Sequence, residues 1–120
     1  MTTVPAQNMI SRIDMETISL AAAIATGVGL EKNYPAPVNM ISMQVSFTGG
    51  APTVKVELQG TIDRVNWFPV ATFDTGASNT SGQIVTSTTH VLLAARANLI
   101  TLSGGTNPTV TAHILANRGG

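Results

Sequence analysis

The feature that most constrains this chain is a strict alternation with a period of two. From Thr53 to Asp63 the sequence reads TVKVELQGTID, which sets Val54, Val56, Leu58 and Ile62 on one side of an extended segment and Thr53, Lys55, Glu57, Gln59, Thr61 and Asp63 on the other. A helix would scatter those apolar residues around its circumference, whereas a half-buried strand collects them on one face. Just upstream, Ile41, Met43, Val45 and Phe47 alternate with Ser42, Gln44 and Ser46. The two runs are separated by Thr48-Gly49-Gly50-Ala51-Pro52, which is turn chemistry, so they are expected to pair as a hairpin.

The same pattern continues downstream. After a tight connection at Asp63-Arg64-Val65-Asn66, the segment WFPVATFD holds most of the aromatic mass, and Pro69 places that strand at an edge or a bulge because it cannot donate to a ladder. Asp74 to Gly82 is a polar loop. Gln83 to Leu93, rich in Val, Ile and Thr, reads as one strand. Arg96–Leu102 and Thr109–Ala116 are expected to form a closing hairpin around Ser103 to Pro108, with Val110, Ala112 and Ile114 facing inward and Thr109, Thr111 and His113 outward. Met15 to Gly27 is open to two readings. Asp14 and Ala21-Ala22-Ala23 suit a capped helix, while Ile18, Leu20, Ala22 and Ile24 alternate as in a strand. Residues 1–14 carry neither pattern and read as an extended N-terminal arm. The fold expected for residues 15–120 is all-β, a single β-sandwich of about seven or eight strands, jelly-roll or immunoglobulin-like.

Composition narrows the partners. Of the 120 residues 10% are charged, six Lys+Arg against six Asp+Glu, where an average domain carries about 25%. No basic footprint for nucleic acid or basic membrane-surface helix follows from that balance. The apolar-leaning run Ile18–Leu30 is thirteen residues long, short of the roughly 20 that span a bilayer. The N-terminus has no apolar signal core, and with no Cys the chain suits synthesis in a reducing cytoplasm. Low charge with zero net charge favours self-association, as in a subunit of an assembly.

Site chemistry is sparse. His90 and His113 fall in Thr-rich strands at positions expected to face solvent. No serine lies in a GxSxG elbow. Asp63 and Asp74 flank the aromatic strand and could share a calcium ion, but neither sits in a dense DxDxDG run, so they read as turn residues. Gly49-Gly50 and Gly104-Gly105 read as hairpin glycines, since neither pair precedes a helix. Asn79-Thr80-Ser81 is a chance sequon. Trp67 and Phe68 are adjacent, so one is expected in the core and the other could be an exposed sugar-stacking platform. No catalytic, cofactor or metal residue is assigned, and the chain is not expected to be an enzyme.

Two segments carry a resemblance. Val54 to Trp67, VKVELQGTIDRVNW, is similar to a pattern of small β-sandwich virion proteins of tailed bacteriophages, an alternating strand ending in LQGS, an Asp-Gly turn and Asn-Trp. Arg96-Ala97-Asn98-Leu99 followed by LSGGTNPTVT, Leu102 to Thr111, resembles the closing hairpin of the same proteins. The likeness covers about residues 40–116, and it departs at Arg64, where those proteins usually have the turn Gly, and at Ala94, where an aromatic is common. It implies a non-enzymatic virion component. Most directly, this is a capsid decoration or cement protein on the outer capsid surface, a homotrimer bridging major capsid subunits, with a tail or neck accessory or glycan-binding module as the alternative.

Overall fold

A computed structural model describes residues 15–117; the expected arm, residues 1–14, lies outside them. The described residues form β1 (Glu16–Ala23), β2 (Gly27–Val28), β3 (Lys32–Val38), β4 (Met40–Phe47), β5 (Thr53–Thr61), β6 (Phe68–Asp74), β7 (Gln83–Ser87), β8 (Leu92–Ser103) and β9 (Val110–Asn117), with one 3₁₀ turn at Thr75–Ala77. A first sheet has the order β1-β9-β4-β7 and a second the order β2-β8-β5-β6, with β3 following β2 along the same side of β8. Every pairing is antiparallel. Counting β2 and β3 as one strand position, this is the eight-position jelly roll, and the all-β reading holds.

The core lies between the sheets. Ile41, Met43 and Val45 from β4 and Val110, Ala112 and Ile114 from β9 face Val54, Val56 and Leu58 from β5 and Ala95, Ala97 and Leu99 from β8, all buried. Phe73, fully buried, meets Phe47 edge to face with ring centroids 6.2 Å apart. These inward sets follow the period of two.

The connections differ from the sequence reading. β4 and β5 are not a hairpin, because β4 pairs with β7 and β9 while β5 pairs with β6 and β8. The Thr48–Pro52 segment arches from one sheet to the other. The expected closing hairpin is likewise an arch, joining β8 of the second sheet to β9 of the first. Gly and Pro serve both geometries. The alternation is also common to both, since a strand buries one face whether its neighbour in sequence lies beside it or across the core. The two arches rest on each other through Thr106 N–H to the Gly49 carbonyl at 2.9 Å and Thr48 N–H to the Thr109 carbonyl at 3.0 Å. Gly49 and Gly105 have φ of +100° and +66°, and a Cβ on Gly105 would strike the Gly49 carbonyl.

Three further corrections follow. Gln83–Leu93 is not one strand; it breaks after Ser87, and Thr88–Val91 crosses between sheets. Ile62 does not enter the core. β5 ends at Thr61, leaving Ile62 67% exposed in the turn. Met15–Gly27 does hold a strand, β1, but its simple alternation fails at register shifts between Ile18 and Leu20 and between Leu20 and Ala23. Those bulges bury Ser19 with Leu20 and expose Ile18, while Ile24 is exposed because it lies beyond the end of the strand. The Ser19 hydroxyl donates to the Leu30 carbonyl at 2.8 Å and accepts from Ala97 N–H at 2.9 Å, tying β1 to the second sheet. Pro69 meets both of its expected conditions, for β6 is an edge strand and Pro69 sits opposite Gln59 beside a bulge.

Leu58→Ala is expected to cost about 2–5 kcal/mol, and Ile62→Ala to stay within about 0.5 kcal/mol, in denaturant melts of the two variants.

Candidate functional site

At one end of the sandwich the β5–β6 loop meets the β7–β8 crossing. Asp63 organises the loop. Its Oδ1 accepts from Val65 N–H at 2.8 Å, Asn66 N–H at 2.7 Å and the Thr61 hydroxyl at 3.1 Å, and its Oδ2 accepts from Asn66 Nδ2 at 2.7 Å. Donation from the Asn66 and Val65 backbone amides, with the Asn66 side chain adding to it, holds the Asp63 carboxyl well below the usual carboxylate range. Arg64 between them has φ of +62°, a backbone that favours the glycine found there in the resembling phage proteins. Its strain is offset in part by Arg64 N–H to Thr61 Oγ1 at 2.9 Å and Arg64 Nε to Asn33 Oδ1 at 2.8 Å.

The aromatic pair emerges from this loop. Trp67 is half-buried under the Arg96 guanidinium, which lies 4.2 Å from the ring centroid. Arg96 is itself held by Nε donation to Gln59 Oε1 at 2.9 Å and by Glu31 Oε2 at 3.8 Å. Phe68 is 64% exposed. Neither ring is therefore in the core, contrary to the expectation that one of the two must be; the buried rings are Phe73, further along β6, and Tyr34 of β3.

Between the two connections is a cleft of about 700 Å³ lined by Thr61, Asp63, Asn66, Phe68, His90 and Leu92 among others. Ile62, Val65, Phe68 and Val91, all more than half exposed, crowd this end. His90 is in the crossing rather than in a strand; its Nδ1 lies 3.0 Å from Thr89 Oγ1 and 3.4 Å from Ser87 Oγ, which leaves Nε2 for an outside partner. The floor is close-packed, since a Cβ on Gly60 would overlap Leu92. The arrangement offers an apolar rim, one free ring face, the Asp63 carboxylate and a few neutral polar groups, on a loop whose hydrogen bonds are already made within the chain. Its ordering cost falls on folding rather than on binding.

The other candidates lie elsewhere. His113 is exposed on β9, on the outer face of the first sheet, as expected. Asp74 caps the 3₁₀ turn by accepting from Gly76 N–H at 2.8 Å, at the far end of β6 from Asp63. At about 3.3 Å per residue, seven-residue β6 keeps these carboxylates roughly 20 Å apart, so they share no cation. Among the described residues no group of three His, Asp or Glu gathers as metal ligands would. Asn79 Oδ1 accepts from Asp74 N–H at 2.9 Å. Sequence reasoning missed Ile62, Val65 and Val91 as surface residues. The available signal was bulky apolar side chains inside turn segments, where polar residues are usual.

No family model and no curated protein matches the chain. Solved structures do. The prophage SPBc2-derived protein YomS aligns over 85% of this chain and 91% of its own, with a TM-score of 0.54 and 9% identity. The PBSX exported protein XepA aligns over 84% of this chain and 36% of its own, with a TM-score of 0.62 and 13% identity. The family 32 carbohydrate-binding module of AlyQ, solved with 4,5-unsaturated mannuronic acid, covers 83% and 92%, with a TM-score of 0.53 and 12% identity. At such identities the likeness is one of fold. It places this chain among jelly-roll β-sandwich domains of the size of YomS and the AlyQ module.

The Asp63 carboxyl is expected to stay ionised below the ordinary Asp value of about 3.9 in an NMR titration. Because its folded value is depressed, the stabilisation it lends is complete above the ordinary value and disappears as pH falls through the depressed one. Asp63→Ala should speed hydrogen exchange at the Val65 and Asn66 amides at neutral pH.

Proposed function

We propose that the protein is a non-enzymatic virion component of a tailed bacteriophage, a decoration or cement subunit that binds neighbouring major capsid proteins on the outer capsid surface. The observation that carries this reading is the apolar loop end, where Ile62 and Val65 stand exposed on a loop held by the hydrogen bonds of Asp63, beside exposed Phe68 at the start of β6 and exposed Val91 in the β7–β8 crossing. Each such side chain contributes about 1.5–3 kcal/mol when fully buried, so a partner that covers the end gains enough to hold the subunit in place. Support comes from the sequence likeness to small phage sandwich proteins and from the shared fold of YomS, a prophage-derived protein that this chain matches over nearly its whole length. Zero net charge also limits repulsion between close-packed copies.

A second reading, a glycan-binding module of the virion, is favoured by one specific feature. Phe68 offers a free ring beside Asn66 and His90 in the same cleft, and the AlyQ module that shares the fold was solved with a sugar bound.

The test is occupancy on purified particles of the encoding phage, by quantitative mass spectrometry and particle imaging. The protein is expected on the head in many copies, and Phe68→Asp with Val91→Asp should lower occupancy at least tenfold. Full occupancy with both substitutions would remove the loop end from the contact. Saccharide binding that vanishes in Phe68→Ala, with no protein on the head, would establish the second reading instead.

A further inference from the structure

Charge is segregated between the two sheets. The strands of the second sheet carry Lys32, Lys55, Glu57, Asp74 and Arg96, while those of the first carry Glu16 alone. The outer face of the first sheet instead exposes Ile18, Met40, Ile84 and Leu115, each between 41% and 55% accessible, among neutral Ser42, Gln44 and Thr86. A cleft of about 700 Å³ runs over it. Depletion of charge with enrichment in large apolar side chains is the composition of a buried interface core rather than of a solvated face. The face also lacks an aromatic platform for a sugar, since Phe47, the aromatic on these strands, packs inward on Phe73.

The sheet edges are closed to pairing with another chain. β1 is interrupted by two register shifts and β7 has five residues. On the second sheet β3 carries Pro35 and Pro37 and β6 carries Pro69. Bulges, short strands and prolines at edges oppose strand addition, which leaves the face as the surface for association.

We propose that this face binds the same face of a second copy in a twofold, isologous contact. The ladder makes the face self-complementary. Glu16 lies opposite Leu115 and Ile18 opposite His113 in the β1–β9 register, so the four form a rectangle with the two polar groups on one diagonal and the two apolar ones on the other. With sides of about 6.6 and 4.8 Å, a twofold axis lying in the face along the Ile18–Leu115 diagonal carries each of the other two corners to within about 3 Å of the other, within the reach of their side chains. Each Glu16 then meets His113 of the partner subunit, whose ring N–H is a donor for the carboxylate, while Ile18 and Leu115 pack on their own counterparts. The contact is separate from the loop end and does not depend on the proposed function. It is twofold, whereas the phage resemblance implies a threefold.

Sedimentation velocity of the full chain at micromolar concentrations decides between them. A dimer is expected. Leu115→Arg and Ile18→Lys, both at exposed positions, should each raise its dissociation constant at least tenfold with a cooperative melt retained; if one variant fails to fold, the other carries the test. His113→Glu should weaken the dimer comparably, and the double variant Glu16→Lys/His113→Glu should restore it. A monomer or trimer for the parent chain, a dimer unmoved by the apolar substitutions, or a charge swap that restores nothing would overturn the proposal.

Discussion

Two of the connections that take the chain from sheet to sheet, β4–β5 and β8–β9, are glycine arches, and the hydrogen bond from Thr106 N–H to the Gly49 carbonyl joins them. Had the β4–β5 and β8–β9 connections been hairpins, each apolar face would have lain beside its sequence neighbour, and the chain would have needed other surfaces to cover both. As arches they set β4 and β9 against β5 and β8 across one core. The backbone there requires positive φ at several glycines and the absence of a Cβ at Gly105. Thr48 and Thr109 add a hydroxyl contact of 2.7 Å between the same two segments. Ser19 makes a comparable tie elsewhere, joining β1 to β8 and to the segment before β3.

From that crossing pattern follow the outer surfaces of the sandwich. Placing β5 and β8 together puts Glu57, Gln59 and Arg96 on one outer face, where Arg96 covers Trp67 and steadies the end of the β5–β6 loop. Placing β4 and β9 together leaves a nearly charge-free outer face. The described residues present one apolar end and one apolar outer face. The low charge of the chain is thus unevenly distributed, and the distribution is more informative than the total.

Much of the architecture was legible because strand burial has a simple period. Val54, Val56, Leu58, Val110, Ala112 and Ile114 are core residues, as alternation requires. What alternation cannot encode is the neighbour of each strand, since an arch and a hairpin use the same Gly and Pro chemistry. Hence two pairings were misassigned, and the break after Ser87 was hidden in a run of β-formers. Ile62 and Ile18 misled for a related reason, because the strand end and the bulge change the phase of the pattern without changing composition. Of the candidate site, Phe68 and Asp63 were visible as residue types, but the cleft was not. It depends on bringing Asn66 and His90 together from connections that are distant in sequence.

Cross-strand NOEs in solution test the crossing of the chain between sheets most directly. β4–β9 contacts such as Met43 with Ile114 and β5–β8 contacts such as Glu57 with Asn98 are expected, with Thr106 N–H protected from exchange. A continuous backbone ladder between β4 and β5, or between β8 and β9, would contradict it.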